Sequence, residues 1–272
     1  MKFGRRKPAF LVYINSMTIE AQNITVKYDD KPILENETVK IQRGKINVII
    51  GKNGCGKSTL MKTLCKQLKV TDGFVTLNGI DENEIPIKTF AKKVGILFQE
   101  NQIPKEIKVR DLVSYGRFAQ IGLFSKMTDE DDDIIDEAMM LTNTLIFEDR
   151  EICELSSGQR QLVWIAMLLA QEAEYLFLDE PTTFLDLKNQ FDILNCLKKI
   201  NKEKGKTLVL ILHDINIAAQ YADYIFAMKD GMIIKEGETK EVLTEEFLKE
   251  LYDVPIEVIN ENDRIYCLPK NL

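Results

Sequence analysis

The sequence has little of what several common kinds of site require. It contains a single histidine, which excludes any metal or catalytic site built from two or more histidines. Its five cysteines, at positions 55, 65, 153, 196 and 267, are odd in number and show neither CxxC nor zinc-finger spacing. We therefore interpret them as isolated, reduced thiols.

Long apolar runs are also missing. The longest, from Leu162 to Ala170, has nine residues, whereas a membrane-spanning helix needs about 20. After a basic start, Ala9–Ile14 gives six apolar residues, fewer than the roughly 7–15 of a signal peptide, and no small-residue cleavage site follows. We interpret residues 1–16 as a non-cleaved N-terminal extension, with Met17 as an alternative start of translation.

An excess of positive charge is absent as well. The chain has 36 Lys and Arg against 43 Asp and Glu, a net charge of −7. Because a grip on a nucleic-acid backbone needs a basic surface, we expect no nucleic-acid partner. A local basic pocket for a small anion remains compatible with this balance. The length of 272 residues predicts one large domain or a core with an inserted subdomain.

Apolar runs of strand length alternate with helical patterns through most of the chain. Residues 17–28 and 37–42 read as strands of a small antiparallel sheet. Helices are predicted at 161–171, 188–201 and 215–221. Five further runs predict the buried strands of a parallel sheet with helices on both faces, which is an α/β fold: Ile46–Ile50, Val94–Phe98, Tyr175–Leu178, Leu208–Leu212 and Tyr224–Met228.

A glycine-rich loop follows the first of these buried strands. Residues 51–58, GKNGCGKS, fit the pattern G-x-x-x-x-G-K-[ST], with a strand before them and a helix after. Such a P-loop cradles phosphates with backbone N–H groups, so the sequence predicts a nucleotide-phosphate site of a kind that many kinases and GTPases share. Lys57 is expected to reach the β- and γ-phosphates, and Ser58 to bind Mg²⁺. The predicted nucleotide-binding residues here are Gly51, Asn53, Gly54, Cys55, Gly56, Lys57, Ser58 and Thr59.

Two carboxylates emerge at the end of the buried strand Tyr175–Leu178. Ligands bind at the carboxyl edge of parallel sheets, so Asp179 and Glu180 are expected to lie beside the P-loop. We predict that Asp179 holds Mg²⁺ and that Glu180 orients or deprotonates an attacking water. This arrangement favours hydrolysis over transfer to a second substrate.

The segment Leu155–Gln159, LSSGQ, resembles the LSGGQ signature of the ATP-binding cassette (ABC) family, with Ser157 in place of the first glycine. The resemblance runs from Met17 to Ile259. It implies a RecA-like P-loop core (17–100 and 157–240) with an N-terminal antiparallel β subdomain and an inserted α-helical subdomain (101–156). The whole ABC ATPase domain is expected to cover residues 17–259, and the C-terminal tail residues 241–272.

The same resemblance implies roles for residues outside the P-loop. Tyr28 is similar to the aromatic residue that stacks on adenine, and Gln99 to the glutamine that contacts Mg²⁺ and the attacking water. Asp186 lies in the equivalent of the D-loop, and His213 matches the histidine that contacts the γ-phosphate. Lys57, Gln99, Glu180 and His213 would then be the catalytic set, and the implied metal ligands are Ser58, Gln99 and Asp179.

In the family geometry, the signature loop lies too far from the P-loop of its own chain to share its nucleotide. The resemblance therefore implies a head-to-tail homodimer that encloses two ATP molecules. Asp186 and the signature loop would act on the nucleotide of the second copy, the residues of that loop being Ser156, Ser157, Gly158 and Gln159.

Three segments resemble the ATPase subunits of iron–siderophore, haem and vitamin B12 importers: Leu112–Arg117, Pro181–Leu187 with Gln190, and Leu251–Val258. Phe118-Ala119-Gln120 and Asn189 depart from those relatives. The resemblance implies integral membrane permease subunits as partners, a substrate-binding lipoprotein as an indirect partner, and a peripheral position on the cytoplasmic face of the membrane.

A groove near Gln99 is expected to receive a short coupling helix of the permease. Ile103, Ile107 and Val109 are candidates for this contact, with core packing as the alternative for each. Other readings of the chain stay open: an importer ATPase for another cargo such as metal ions, or a soluble ABC ATPase of the iron–sulphur assembly type. A non-hydrolytic regulatory module is disfavoured by Lys57, Glu180 and His213.

Overall fold

The computed structural model describes residues 18–29, 31–99, 106–121, 126–262 and 264–270. The strands are β1 Ile19–Tyr28, β2 Lys31–Lys40, β3 Ile46–Gly51, β4 Asp72–Leu77, β5 Ile80–Asp81, β6 Val94–Leu97, β7 Tyr175–Asp179, β8 Thr207–Ile211, β9 Tyr224–Lys229, β10 Met232–Glu238, β11 Ile256–Glu261 and β12 Arg264–Pro269. The helices are α1 Lys57–Leu64, α2 Ile87–Ala91, α3 Val109–Ser114, α4 Asp129–Leu141, α5 Ser157–Ala170, α6 Leu187–Lys204, α7 Ile215–Tyr221, α8 Thr239–Val242 and α9 Glu245–Tyr252.

The central sheet has the order β10-β9-β3-β8-β7-β6. Strands β9, β3, β8, β7 and β6 are parallel, and β10 pairs antiparallel at one edge. Every residue of β3, β7 and β8 is buried, which explains their continuous apolar runs. The predicted α/β fold is confirmed, and the carboxyl ends of β3, β6, β7 and β8 meet at one edge of the sheet.

A second sheet, with the order β2-β1-β4-β5, covers one face of the first. Alternate residues of the parallel strands point to opposite faces, so Ile49 packs towards this second sheet and Val48 towards the other side. Strand β2 begins at Lys31, earlier than the expected residue 37, and so includes Pro32. Because β2 is an edge strand, the missing N–H of a proline is tolerated there.

Residues 106–121 and 126–156 form a largely helical segment. The acidic run at 129–133 begins α4, as predicted, with the Thr128 hydroxyl accepting from the Asp131 N–H at 3.3 Å. Arg117 is 5% exposed. Its guanidinium donates to Asp131 at 2.9 Å, to Glu172 at 2.7 Å and to the Ala170 carbonyl at 2.7 Å. Arg117 thereby joins α4 to the end of α5.

Two of the three candidate permease contacts lie in the hydrophobic core. Val109 is fully buried and Ile107 almost so, both within the cluster that α5 covers. Their side chains are therefore not available to a partner, and the core-packing alternative holds for them. Ile103 lies outside the described residues.

The C-terminal residues contain structure that the sequence patterns had not indicated. Strands β11 and β12 form an antiparallel hairpin, and Ile265 and Cys267 of β12 are buried in the main core. The predicted extension, residues 1–16, lies outside the described residues. None of the described helices combines the length and the apolar character that a membrane crossing requires.

Candidate functional site

The glycine-rich loop joins β3 to α1 in the predicted way. Gly51, Gly54 and Gly56 have φ values of 148°, 77° and 102°, which side chains disfavour. At Gly51 a Cβ would also lie 2.2 Å from the Met228 carbonyl oxygen. The N-terminus of α1 has no side-chain cap, so its first N–H groups remain available to an anion.

The amine of Lys57 lies inside this loop. Lys57 is 5% exposed, and its Nζ donates to the carbonyl oxygens of Gly51 and Lys52, each at 2.9 Å. Within the described part of the chain, this amine forms no ion pair with a carboxylate. The loop thus holds a buried positive charge that an anion in the cleft can neutralise.

Asp179 lies at the end of β7, beside the start of α1. The Ser58 hydroxyl donates to Asp179 Oδ1 at 3.2 Å. Burial and the neighbouring Glu180 raise the pKa of Asp179, while the Ser58 hydrogen bond, Lys62 and Lys57 oppose that shift. A cation bound between Ser58 and Asp179 would favour the ionised carboxylate.

Glu180 collects side chains from three neighbouring strand ends. Its Oε2 accepts from Gln99 Nε2 at 2.7 Å and from the Thr183 hydroxyl at 3.1 Å, and His213 Nε2 contacts its Oε1. The backbone of Glu180 has φ 50°, an uncommon conformation for this residue type. The structure therefore brings together Gln99, Glu180 and His213, which the sequence had placed on separate segments.

These groups line one cleft of about 600 Å³. Its apolar wall includes Tyr28, at the end of β1, together with Ile33 and Phe184. Cys55, although part of the loop, is buried and does not line the cleft. Of the lining residues, Ile33, Thr183 and Phe184 were not predicted; the threonine hydroxyl three residues after Glu180 was the available signal. The predicted residues that line it are Tyr28, Asn53, Gly54, Gly56, Lys57, Ser58, Thr59, Gln99, Glu180 and His213.

The signature segment starts α5. Ser156 and Gln159 form a reciprocal cap: the Ser156 N–H donates to Gln159 Oε1 at 2.9 Å, and the Gln159 N–H donates to Ser156 Oγ at 3.3 Å. Ser156 and Ser157 are exposed, and no residue of the segment 155–159 is among those that line the 600 Å³ cleft of the described chain.

Gly158 connects this segment to Asp186. A Cβ at Gly158 would lie 2.4 Å from Asn189 Cγ, so a larger residue here would displace the Asn189 side chain. Asn189 in turn donates from its backbone N–H to Asp186 Oδ1 at 2.8 Å and from its amide to Asp186 Oδ2 at 3.0 Å. The signature segment and the D-loop aspartate are therefore packed together on the same surface.

The P-loop, the paired carboxylates and the separate signature segment define an ATP-binding cassette. The family model for ABC transporters matches residues 34–183. The chain belongs to the ABC transporter family, and it is an ATPase of the cassette type.

Known proteins similar to the chain agree with this assignment. It is 41% identical to the iron(3+)-hydroxamate import ATP-binding protein FhuC of Bacillus subtilis (strain 168), over 95% of this chain and 96% of that protein. An inward-facing metal-chelate-type ABC transporter has a TM-score of 0.80 and 27% identity, over 94% of this chain and 98% of its own. The dimeric structure of the ABC transporter cassette MJ0796 has a TM-score of 0.70 and 29% identity, over 81% and 98%.

Proposed function

We propose that the chain is the ATP-hydrolysing subunit of an importer of iron–siderophore-type cargo, bound at the cytoplasmic face of the membrane. Two copies would enclose two ATP molecules and drive a membrane permease. The cargo class is supported by the similarity to the iron(3+)-hydroxamate import protein and to the metal-chelate-type transporter.

The cleft has a polar part that suits the phosphates of ATP and an apolar part that suits its adenine base. The phosphates would lie on the open N–H groups of α1 and against Lys57, whose amine has only carbonyl partners among the described residues. The ring of Tyr28, 46% exposed at the mouth of the cleft, offers a face for the adenine base.

The oxygen donors beside the phosphates suit Mg²⁺. Mg²⁺ in such sites binds one or two protein oxygens together with phosphate oxygens, and Ser58 Oγ and the Asp179 carboxylate are already neighbours. The side chain of Gln99 lines the same region. Bound Mg²⁺ would neutralise part of the charge on the β- and γ-phosphates.

Glu180 is the residue that we assign to water activation, and its environment is the observation that supports hydrolysis most directly. Contacts from Gln99, Thr183 and His213 fix both oxygens of its carboxylate at the wall of the ATP cleft. A carboxylate held in this way can accept a proton from an attacking water, while His213 remains close to the terminal phosphate.

The second copy supplies what the first one lacks. Ser156, Ser157 and the start of α5 do not line the cleft of their own chain, and the start of a helix suits an anion. A head-to-tail dimer would bring them, with Asp186, to the partner's ATP, and the dimeric MJ0796 cassette supports this arrangement.

A second cleft of about 530 Å³ is the candidate site for the permease. Gln99 and Ser58 line both clefts, and the further lining residues of the second are Lys62, Gln67, Phe98 and Asp179. A coupling helix seated there would sense changes at the γ-phosphate through Gln99. We assign the inserted subdomain to residues 101–156, the core to 17–100 and 157–240, and the tail to 241–272.

The substitution Glu180→Gln tests hydrolysis. It keeps the size of the side chain but removes the base, so ATP turnover should fall by about 10²–10⁴-fold while ATP binding persists. Cross-linking of this variant should trap a dimer that forms only with ATP. Glu203→Gln, on the exposed face of α6, is the matched control and should behave as the parent. Full turnover by Glu180→Gln, or by a strict monomer, would contradict the proposal.

Affinity purification from membranes tests the transport role. The tagged chain should copurify with a polytopic membrane protein, and transport of a ferric siderophore should cease with the Glu180→Gln variant. Copurification with soluble iron–sulphur assembly proteins alone would instead favour that alternative, and uptake of a free metal ion would favour another cargo.

A further inference from the structure

The end of α9 contacts the phosphate loop. Asp253, which caps this helix with φ 57°, forms an ion pair with Lys52 of the loop and a second one with Lys229 of β9, the latter at 3.3 Å. The two lysines hold the pKa of the Asp253 carboxyl below its usual range. Lys229 also donates to the Glu250 carbonyl at 2.6 Å, so this lysine contacts the end of α9 at two points.

Lys52 links this contact to the lysine that we assign to the phosphates. The backbone carbonyl of Lys52 accepts a hydrogen bond from Lys57 Nζ at 2.9 Å. A change in the position of Lys52 therefore changes an acceptor of the Lys57 amine. Asp253 lies 201 positions from Lys52 in the sequence but one residue away from the Lys57 hydrogen-bond network.

The hairpin that follows α9 contacts α7, the helix that comes after His213. The side chain of Asn216, at the start of α7, accepts from the Cys267 N–H at 2.7 Å and donates to the Cys267 carbonyl at 3.1 Å. His213 lies three residues before Asn216. Glu245, the first residue of α9, accepts from the Val258 N–H at 3.1 Å and from Lys270 at 2.7 Å, which ties the hairpin to α9.

Tyr252 lies between these two contacts. Burial, with the nearby Cys55, Cys267 and Asp214, raises the pKa of its hydroxyl to about 12. These three neighbours belong to the phosphate loop, the hairpin and the cap of α7. The C-terminal segment, which we define as α9, β11 and β12, thus contacts both the P-loop and the helix behind His213.

We propose that the C-terminal segment holds the nucleotide site in its binding-competent shape, with Asp253 as a positioning residue for the phosphate loop through Lys52. The inference rests on the proposed role of that loop in ATP binding. Asp253 touches neither the cleft nor the assigned catalytic groups, so its effect is on loop position alone.

Alkylation of Cys55 measures this position without ATP. Cys55 lies in the phosphate loop and is 6% exposed, whereas Cys153 is exposed and serves as an internal reference. Nucleotide-free protein is treated with iodoacetamide, and peptide mass spectrometry gives the ratio of the two rates. In Asp253→Asn and Lys52→Met this ratio should rise about 3-fold, an effect typical of exposed ion pairs. The double variant should add nothing further, because both substitutions break the same contact.

Matched measurements separate positioning from general stability. Asp149→Asn breaks an exposed ion pair with Lys108 on another part of the surface and should leave the ratio unchanged. Lys52→Arg should retain the parent ratio, and about 1 M salt should raise the parent to the Asp253→Asn value. KM for ATP should rise about 3-fold in Asp253→Asn with kcat retained.

Two outcomes overturn the inference. One is an unchanged Cys55 rate in both Asp253→Asn and Lys52→Met. The other is a parallel increase at the buried Cys65, which would mean general unfolding rather than loop movement. Either result leaves the Glu180→Gln test untouched, so failure of this inference is distinguishable from failure of the proposed function.

Discussion

Lys57 and Arg117 are both 5% exposed, yet their surroundings differ. Arg117 has two carboxylates and a carbonyl as partners. Lys57 has two carbonyls, and the described chain supplies its amine with no ion pair. Since a buried charge without an opposite charge is costly, the comparison indicates that Arg117 serves the fold, and it supports our proposal that Lys57 pairs with the phosphates of bound ATP.

The difference matters because both residues belong to recognisable motifs. Lys57 comes from the phosphate loop, and Gly116-Arg117 from the segment that resembles siderophore-importer ATPases. At Gly116 a Cβ would lie 2.2 Å from the Met167 carbonyl oxygen, so that segment is also fixed by close packing. The subfamily motif is therefore a packing junction and makes no contact with the ATP cleft.

The largest expected effects come from replacing each of these cations with methionine. Arg117→Met leaves the buried Asp131 without its cation, so the free energy of unfolding should fall by about 3–5 kcal/mol. Lys57→Met leaves no carboxylate without a partner, so the free energy of unfolding should change by no more than about 1 kcal/mol. The same substitution should weaken ATP binding at least about 10-fold. Chemical denaturation and ATP titration check both.

The contrast between the two residues would be wrong if Arg117→Met kept its stability or if Lys57→Met lost stability but not ATP affinity. Retained stability in Arg117→Met would mean that Asp131 and Glu172 tolerate the loss of their shared cation. A large stability loss in Lys57→Met with unchanged ATP affinity would make that lysine structural.

A third buried ionisable group, Glu82, sharpens the comparison. It lacks a full set of hydrogen-bond partners, and it does not line the ATP cleft. It is 3% exposed, and its Oε2 lacks a hydrogen-bond partner among the described residues. Burial, aided by Asp81 and opposed by Lys66, raises the pKa of Glu82 to about 7. The folded protein therefore keeps this carboxyl protonated at mildly acid pH.

Glu82→Gln should remove the free-energy cost of ionising this buried carboxyl, a cost that appears only as the pH rises. Between pH 4.5 and 7 the folded state binds a proton that the unfolded state has released, so parent stability falls with pH across that window. The variant should gain about 1–3 kcal/mol over the parent at pH 8 and little at pH 4.5. Unfolding midpoints at both pH values check this, and an equal difference at each would contradict it.

The smallest effects are expected in the signature segment, where Gly158 is packed against Asn189 and the neighbouring Ser157 is exposed. Gly158→Ala places a methyl group against Asn189 and should cost about 1–3 kcal/mol, with reduced ATP-dependent dimerisation. Ser157→Gly restores the family sequence at an exposed position and should change turnover less than about 2-fold. Equal behaviour of the two variants in cross-linking and denaturation would argue against the contact of Gly158 with Asn189.

Local pattern was enough to predict the strands that build the site. Continuous apolar runs and the loop spacing located β3, β7 and β8, and the acidic run with Thr128 located the start of α4. The early start of β2 was missed because Pro32 reads as a strand boundary unless the strand is known to lie at an edge. The burial of Ile107 and Val109 depends on how α3 packs against α5, which periodicity alone does not give.

Contacts between side chains that are distant in the sequence could not be predicted from local sequence patterns, for a physical reason. The pairing of Asp253 with Lys52 and the two hydrogen bonds between Asn216 and Cys267 join residues that are far apart in the chain. The hairpin at 256–269 has one buried strand, β12, whose two inward residues are too few for a clear alternating signal. Such contacts arise once the fold has brought these distant segments together.

The contact of Gly158 with Asn189, which is bonded to Asp186, packs together the two segments that a neighbouring copy would meet. In the proposed head-to-tail dimer, both segments would lie beside the nucleotide of the other copy. Departure of that nucleotide would then release the two segments together.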